Sequence, residues 1–140
     1  MPEVDAALVA SELRGVLGAL IRRLRTENRL PLTQGAVLSR LDREGPRSVS
    51  ELAISERVRP QSMAQTVGDL ERDGLVDRTP DPTDRRRALV AMTPDGRTTL
   101  ETDRRQREGW LAQAIVEHLS PAEQAAVMEV TTLLRRLAES

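Results

Sequence analysis

The sequence predicts a mainly α-helical fold that carries a single small β-hairpin. Three observations lead there. Leu, Val, Ile, Met and Ala recur at spacings of three and four along much of the chain, which is the period of one helical face. Cap residues followed by proline, as in Thr93-Pro94 and Ser120-Pro121, mark helix starts. Only two short runs are β-prone, and a segment dense in turn formers joins them. With 140 residues, 39% apolar and 31% charged, the chain is sized for one compact domain spanning residues 1–140. Trp110 is its only aromatic residue, so the core must be aliphatic, which suits helix packing.

Residues 5–28 carry Leu8, Leu13, Val16, Leu17, Leu20, Ile21 and Leu24 as one helical stripe, with Arg14, Arg22, Arg23 and Arg25 mostly off it. Leu30-Pro31-Leu32 breaks the pattern. Thr33 is the expected cap of a second helix bearing Val37, Leu38 and Leu41, which Gly45-Pro46 ends. A β-prone step at Val49 leads to Ser50, the expected cap of a third helix with Leu52, Ala53 and Ile54. Arg57-Val58-Arg59 reads as a tight turn. Pro60 suits the first position of a fourth helix, where its missing N–H costs nothing, and Gly74 closes that helix in a left-handed conformation.

Leu75 to Arg78 and Arg87 to Met92 are the two β-prone runs, and residues 79–86 form the polar tip between them. From Thr93 a long helix is expected to run as far as Leu119. Its first half is nearly all polar, and Glu101 with Arg105 and Asp103 with Arg107 stand four apart in the favourable order, as on an exposed strut. Ser120-Pro121-Ala122-Glu123 is a capping box that opens a last helix with Val127, Val130, Leu133, Leu134 and Leu137.

Composition removes several functions. There is no Cys, which excludes disulfides, thiol redox sensing and thiolate metal sites. His118 is the only histidine and has no second ligand of its kind, so no metal and no cofactor are expected. Ser48, Ser50 and Ser120 read as helix caps, and no nucleophile-elbow or phosphate-loop glycine pattern occurs, so an enzyme reading has no residues to assign. No signal-peptide core and no run of about 18 apolar residues is present, which leaves no membrane span and a cytoplasmic location as the expectation. The net charge is −1, yet all 21 basic residues are Arg, the side chain that forks onto phosphate and guanine.

The order of elements is the main functional signal. Two short helices joined by a tight turn, the second opening with polar residues and backed by aliphatics, are what a helix needs to enter a major groove while braced from behind. A hairpin follows, within reach of a neighbouring minor groove. Asp69-Leu70-Glu71-Arg72-Asp73-Gly74-Leu75-Val76-Asp77-Arg78, then Asp81-Pro82-Thr83-Asp84-Arg85-Arg86, then Val90-Ala91-Met92-Thr93-Pro94-Asp95-Gly96 carry a resemblance. They resemble the winged helix-turn-helix of the MarR family, the multiple antibiotic resistance regulators. The likeness extends back through Ser50-Glu51-Leu52-Ala53 to Gln34-Gly35-Ala36-Val37-Leu38, covering about residues 30–97. Ala64 and Gln65 stand where the family often has a small hydroxyl residue and an Arg, and Gly35 stands where an aromatic is frequent.

The resemblance implies a DNA-binding lobe over about residues 30–97, with helices over about 5–28 and 98–139 for dimerisation. Helical steps of about 100° turn Met63, Val67 and Leu70 to the core and Gln61, Ser62 and Gln65 outward, as major-groove candidates. Gln suits adenine, and Ser suits several base edges. Pro60 and Thr66 complete the candidate set on that helix. Arg57 and Arg59 before it, and Arg85 and Arg87 in the wing, are phosphate candidates that would add affinity without reading sequence. In Asp84-Arg85-Arg86 the resemblance implies that Arg86 enters the minor groove while Asp84 steadies the hairpin. Asp69, Glu71 and Asp73 are expected to face away from DNA.

The expected partners are a pseudo-palindromic DNA duplex and a second copy of the chain. The stripes at residues 8–24 and 127–137 have little else to cover, and recognition helices about 34 Å apart would match one DNA turn. Family members commonly release DNA when a small, often aromatic or anionic, molecule binds between the two lobes. Trp110 is the one aromatic able to line such a crevice. The reading is a dimeric repressor released by a ligand; the alternative is a winged helix used for protein docking or as a scaffold, without specific DNA binding.

Overall fold

The computed structural model describes residues 2–140. Six helices and one hairpin follow in the order α1 (Ala6–Arg25), α2 (Leu32–Glu44), α3 (Val49–Glu56), α4 (Pro60–Arg72), β1 (Val76–Pro80), β2 (Ala88–Met92), α5 (Pro94–His118) and α6 (Pro121–Ala138). The strands pair antiparallel, from Val76 opposite Met92 to Pro80 opposite Ala88. Arg47 adds an antiparallel bridge to Val90 on the other side of β2.

The core is aliphatic, as the composition requires. Val37, Leu38 and Leu41 of α2, Leu52 and Ala53 of α3, and Met63, Val67 and Leu70 of α4 close over Val76, Val90 and Leu100. These are the positions that helical periodicity turns inward on α2 and α4. By contrast, α1 and α6 contain no buried residue. Leu8, Val16 and Ile21 on α1 and Val127, Val130, Leu133 and Leu137 on α6 remain exposed.

Helix boundaries follow the chemistry of their ends, with three corrections. The cap of α3 is Ser48, not Ser50. Its hydroxyl accepts the Glu51 N–H, and Glu51 reaches back to the Ser48 backbone in a capping box. Val49 is therefore the first residue of α3, and the extended step lies at Arg47. The N-terminus of α2 is set by Pro31, with Thr33 already inside the helix, because the extended backbone at Pro31 (ψ 143°) leaves Leu32 free to begin the turn. Finally, α5 is no exposed strut. Asp103 is buried and its carboxylate accepts the Arg29 backbone N–H at 2.7 Å and a hydrogen bond from Arg107. The Asp103–Arg107 pair forms as expected, but it packs against the α1–α2 connection, where Arg107 also donates to Asn28 at 2.8 Å.

The start of α5 is fastened to the wing. Thr93 caps it by accepting the Gly96 N–H, donates its hydroxyl to the Gly74 carbonyl at 2.6 Å, and gives its own N–H to Leu75 at 3.1 Å. This works only with glycine at 96, since an added Cβ would lie 2.0 Å from the Leu75 carbonyl oxygen. Further along, Asp42 of α2 receives both Arg97 (2.8 Å) and Arg104 (3.0 Å) of α5.

Candidate nucleic-acid interface

The turn between α3 and α4 is built by a left-handed residue. Arg57 has φ 55° and ψ 44°, and its N–H closes onto Ala53 and Ile54 while the Val58 N–H returns to Ala53 at 3.0 Å. Arg59 then caps α4 in extended conformation and Pro60 takes the first helical position. The side chains of Arg57 and Arg59 are exposed, and no carboxylate among the described residues pairs with either.

On α4 the amphipathic split is clean. Met63, Val67 and Leu70 are fully in the core, whereas Gln61, Ser62, Ala64 and Gln65 are exposed. Gln61 and Gln65 share one row, four residues apart, and among the described residues neither side chain makes a hydrogen bond, so both amides are open to a partner. Asp69, expected to face away from DNA, instead continues that row at the last turn of the helix, where Arg72 sits 3.3 Å from its carboxylate and offsets the charge. Ser62 and Thr66 lie on the flank instead, where Thr66 donates its hydroxyl to the Ser62 carbonyl at 3.1 Å.

That flank forms one wall of a cavity of about 330 Å³. Arg25 from the end of α1, Leu32 and Ala36 from α2, Glu56 and Val58 from the end of α3 and the turn after it, and Ser62, Met63 and Thr66 from α4 line it. Helical periodicity assigns Ser62 only to the outward face and gives Thr66 no cavity role. The cavity was not legible because it needs α1 and α2 to be placed beside α4. Trp110 is not among its lining residues; its ring lies on α5 under the Arg23 guanidinium, 4.1 Å from the ring centre.

The wing tip is a compact loop held by its own carboxylates. Asp81 is buried and accepts from the Thr83 N–H (2.9 Å) and hydroxyl (2.8 Å), and these bonds hold its pKa below the ordinary aspartate range. Asp84 accepts the Arg86 N–H at 3.0 Å, so the expected steadying role of Asp84 has a geometric counterpart. Arg85 and Arg86 are exposed, and the Arg86 side chain is 92% accessible despite its 3.4 Å approach to Asp84. Arg87 behaves otherwise. Its guanidinium turns back onto Glu51 of α3 and lies 3.4 Å from Asp81, so unlike Arg85 and Arg86 it is paired with two carboxylates while still half exposed.

Arg57, Arg59, Gln61, Gln65, Arg85 and Arg86 are thus exposed side chains on the turn, the helix and the wing tip, with the acidic groups of the tip folded inward. The MarR family model matches residues 30–88, the stretch that runs from α2 to the start of β2. An HTH-type transcriptional regulator of Mycobacterium bovis, Mb0904, is 39% identical over 118 residues, which cover 82% of each chain. The chain belongs to the MarR family.

As a MarR family member it is a DNA-binding transcriptional regulator with a winged helix-turn-helix. A transcriptional regulator of Pseudomonas aeruginosa has the same architecture at 34% identity, with a TM-score of 0.86 over 99% of both chains. Bordetella bronchiseptica BpsR, whose DNA binding is regulated by 6-hydroxynicotinic acid, is 25% identical with a TM-score of 0.62, over 100% of this chain and 99% of its own. No helix among the described residues of this MarR member is long and apolar enough to cross a membrane.

Proposed function

We propose that the chain is a sequence-specific repressor that grips a pseudo-palindromic operator as a two-fold dimer and lets go when a small molecule binds. The observation that carries this is the open row of Gln61 and Gln65 on α4 beside the exposed Arg85 and Arg86 of the wing. Gln61, Ser62 and Gln65 would read base edges, with Pro60 at the helix start and Thr66 on its flank completing the DNA-contacting set. Arg57 and Arg59 would hold phosphates, and Arg86 would enter the minor groove. The net charge of −1 does not oppose this, since the exposed cations of the turn and wing tip act locally within a screening length of about 8–10 Å.

Dimerisation is supported by the uncovered apolar faces of α1 and α6, which leave Leu8, Val16, Leu133 and Leu137 at least half exposed on one chain. Residues about 5–28 and 98–139 would then form the dimer lobe and about 30–97 the DNA lobe. For the effector, support comes from the cavity shared by Arg25 and the flank of α4. An anionic ring could pair with Arg25 while touching Ser62, Met63 and Thr66, the lining carboxylate of Glu56 being neutralised by Arg40 at 3.0 Å, so occupancy would bear directly on the recognition helix. The regulation of BpsR by 6-hydroxynicotinic acid makes an aromatic acid the ligand class to try first. Trp110, with Arg23 stacked on it, would report changes at the lobe junction by its fluorescence.

A mobility-shift titration with genomic fragments at several salt concentrations tests the core of this reading. Saturable binding to a few fragments that survives moderate salt is expected. Binding that is uniform across fragments, or absent, would overturn it in favour of a protein-docking module. Light scattering on the same sample should give the dimer mass.

A further inference from the structure

Three consecutive arginines close the wing, and they do not share a fate. Arg85 and Arg86 project into solvent, whereas the Arg87 guanidinium, though half exposed, is paired with two carboxylates. Its guanidinium donates to Glu51 Oε1 and lies 3.4 Å from Asp81 Oδ2; its N–H donates to the Asp84 carbonyl and its own carbonyl accepts the Asp81 N–H, each at 3.0 Å. Glu51 is itself fixed. It is the third residue of α3, it accepts from the Ser48 hydroxyl at 3.0 Å, and Arg47 Nε stands 3.8 Å away.

The wing therefore meets α3 at two heights. At its base, Arg47 and Val90 exchange backbone hydrogen bonds of 3.1 and 2.7 Å. Nearer the tip, the Glu51–Arg87 pair repeats the attachment with charge. Because α3 packs directly on α4, both attachments refer the wing to the recognition helix. A two-stranded hairpin held only at its base could swing about that bridge, since such a ribbon is marginal on its own.

We propose that the Glu51–Arg87 ion pair is a positioning device, which holds the wing tip at a set distance from α4 so that Arg86 and the recognition helix reach adjacent grooves together. Arg87 then acts through Arg86 and touches no DNA. This role rests on the DNA-binding reading above. With the tie in place, the wing's orientation is settled before DNA arrives; without it, that ordering must be met at binding.

The test uses the full-length protein and a short duplex recovered by the wild type from a randomised pool. Glu51→Gln retains the oxygen that caps α3 while removing the charge that holds Arg87. Arg87→Gln and Glu51→Gln should each weaken binding by about three- to fivefold, the scale of a half-exposed ion pair. The double variant should be no weaker than either single one, and the salt dependence of binding should keep the wild-type slope. In the free protein, hydrogen exchange at the Asp81 and Arg87 amides should speed up in both variants. If Arg87 instead contacts phosphate, Arg87→Gln will lower the salt slope by about one, and Glu51→Gln will leave affinity unchanged or improve it; either result overturns the proposal. Unchanged amide exchange in both variants overturns the tie alone. Failure of the wild type to select any duplex would overturn the DNA-binding reading and this role with it, whatever the exchange data say.

Discussion

The carboxylate of Asp103, at the middle of α5, accepts the backbone N–H of Arg29 across a separation of 74 residues. Asp103 is 2% exposed, and its other oxygen holds Arg107, which in turn donates to Asn28. One buried acid thus satisfies the connection between α1 and α2 and anchors it to the long helix. Asp103→Ala should cost about 1–3 kcal/mol, because it strands a backbone donor and a guanidinium together. Asp103→Asn, which keeps an acceptor for Arg29, should cost less. Urea unfolding of the two variants gives the ranking, and equal stability for Ala and wild type would refute the anchor.

Gly96 is predicted to be intolerant of any side chain. A Cβ there would stand 2.0 Å from the Leu75 oxygen and 2.9 Å from the Met92 side chain, so Gly96→Ala must push α5 off the wing. A loss of about 1–3 kcal/mol is expected. Gly109 offers the control, since nothing lies within 4 Å of its added Cβ and it sits inside the same helix. Gly109→Ala should stabilise by up to about 1 kcal/mol, and thermal melts of the pair should move in opposite directions.

Acid should loosen the seam between α2 and α5. Hydrogen bonds from Arg104 and then Arg97 hold the Asp42 carboxyl below its ordinary value of 3.8. Since the folded value is the lower one, the stabilisation is complete above the unfolded-chain value and disappears as pH falls through the folded value. Glu51, held down first by the Ser48 hydroxyl, and Glu123, held down by the Ser120 backbone, act in the same direction. Denaturant midpoints should stay flat near neutrality and drop below roughly pH 4. In Asp42→Asn the drop should be shallower; an unaltered acid profile would remove Asp42 from the account.

At the DNA-facing surface, Arg86→Ala should weaken operator binding by about 1–3 kcal/mol with little change in melting temperature. Gln65→Ala should relax preference at one or two base pairs, because it removes a base-edge contact and no charge. Asp84→Ala should fall between, since its carboxylate steadies the backbone of Arg86. Titrations against one operator and a scrambled duplex separate the three, and an Arg86→Ala protein with undiminished affinity would dismiss the wing contact.

Much of this architecture was legible because local chemistry and global packing agree along it. Met63, Val67 and Leu70 fall on one helical face, and they are the residues that the core takes up. Gly45 and Gly74 stand where the backbone turns to positive φ. What escaped were choices between neighbours and contacts between distant segments. Ser48 and Ser50 both suit a cap; Ser48 wins because only from there does Glu51 fall at the reciprocating position. Asp103 reads as part of an exposed strut and Arg87 as a phosphate candidate because their partners, Arg29 and Glu51, lie 74 and 36 residues away. No periodicity carries such pairings. The cavity beside α4 was hidden for the same reason, being walled by α1, α2 and the end of α3 as well as by the recognition helix itself.

The fastening of Thr93 and Gly96 to the wing has a mechanical consequence. Helix α5 spans 25 residues, from the wing base to the α6 turn. At 1.5 Å per residue that is a rod of about 37 Å. With its first turn welded to Leu75 and its middle fastened to the α1–α2 connection by Asp103, the rod carries the wing and that connection with it as one piece. A tilt of about 5° applied at its far end would swing the wing by about 3 Å, comparable to the width of one base-pair step. The helix is then the lever of the molecule, and its stiffness sets how small a shift at one end can be felt at the other.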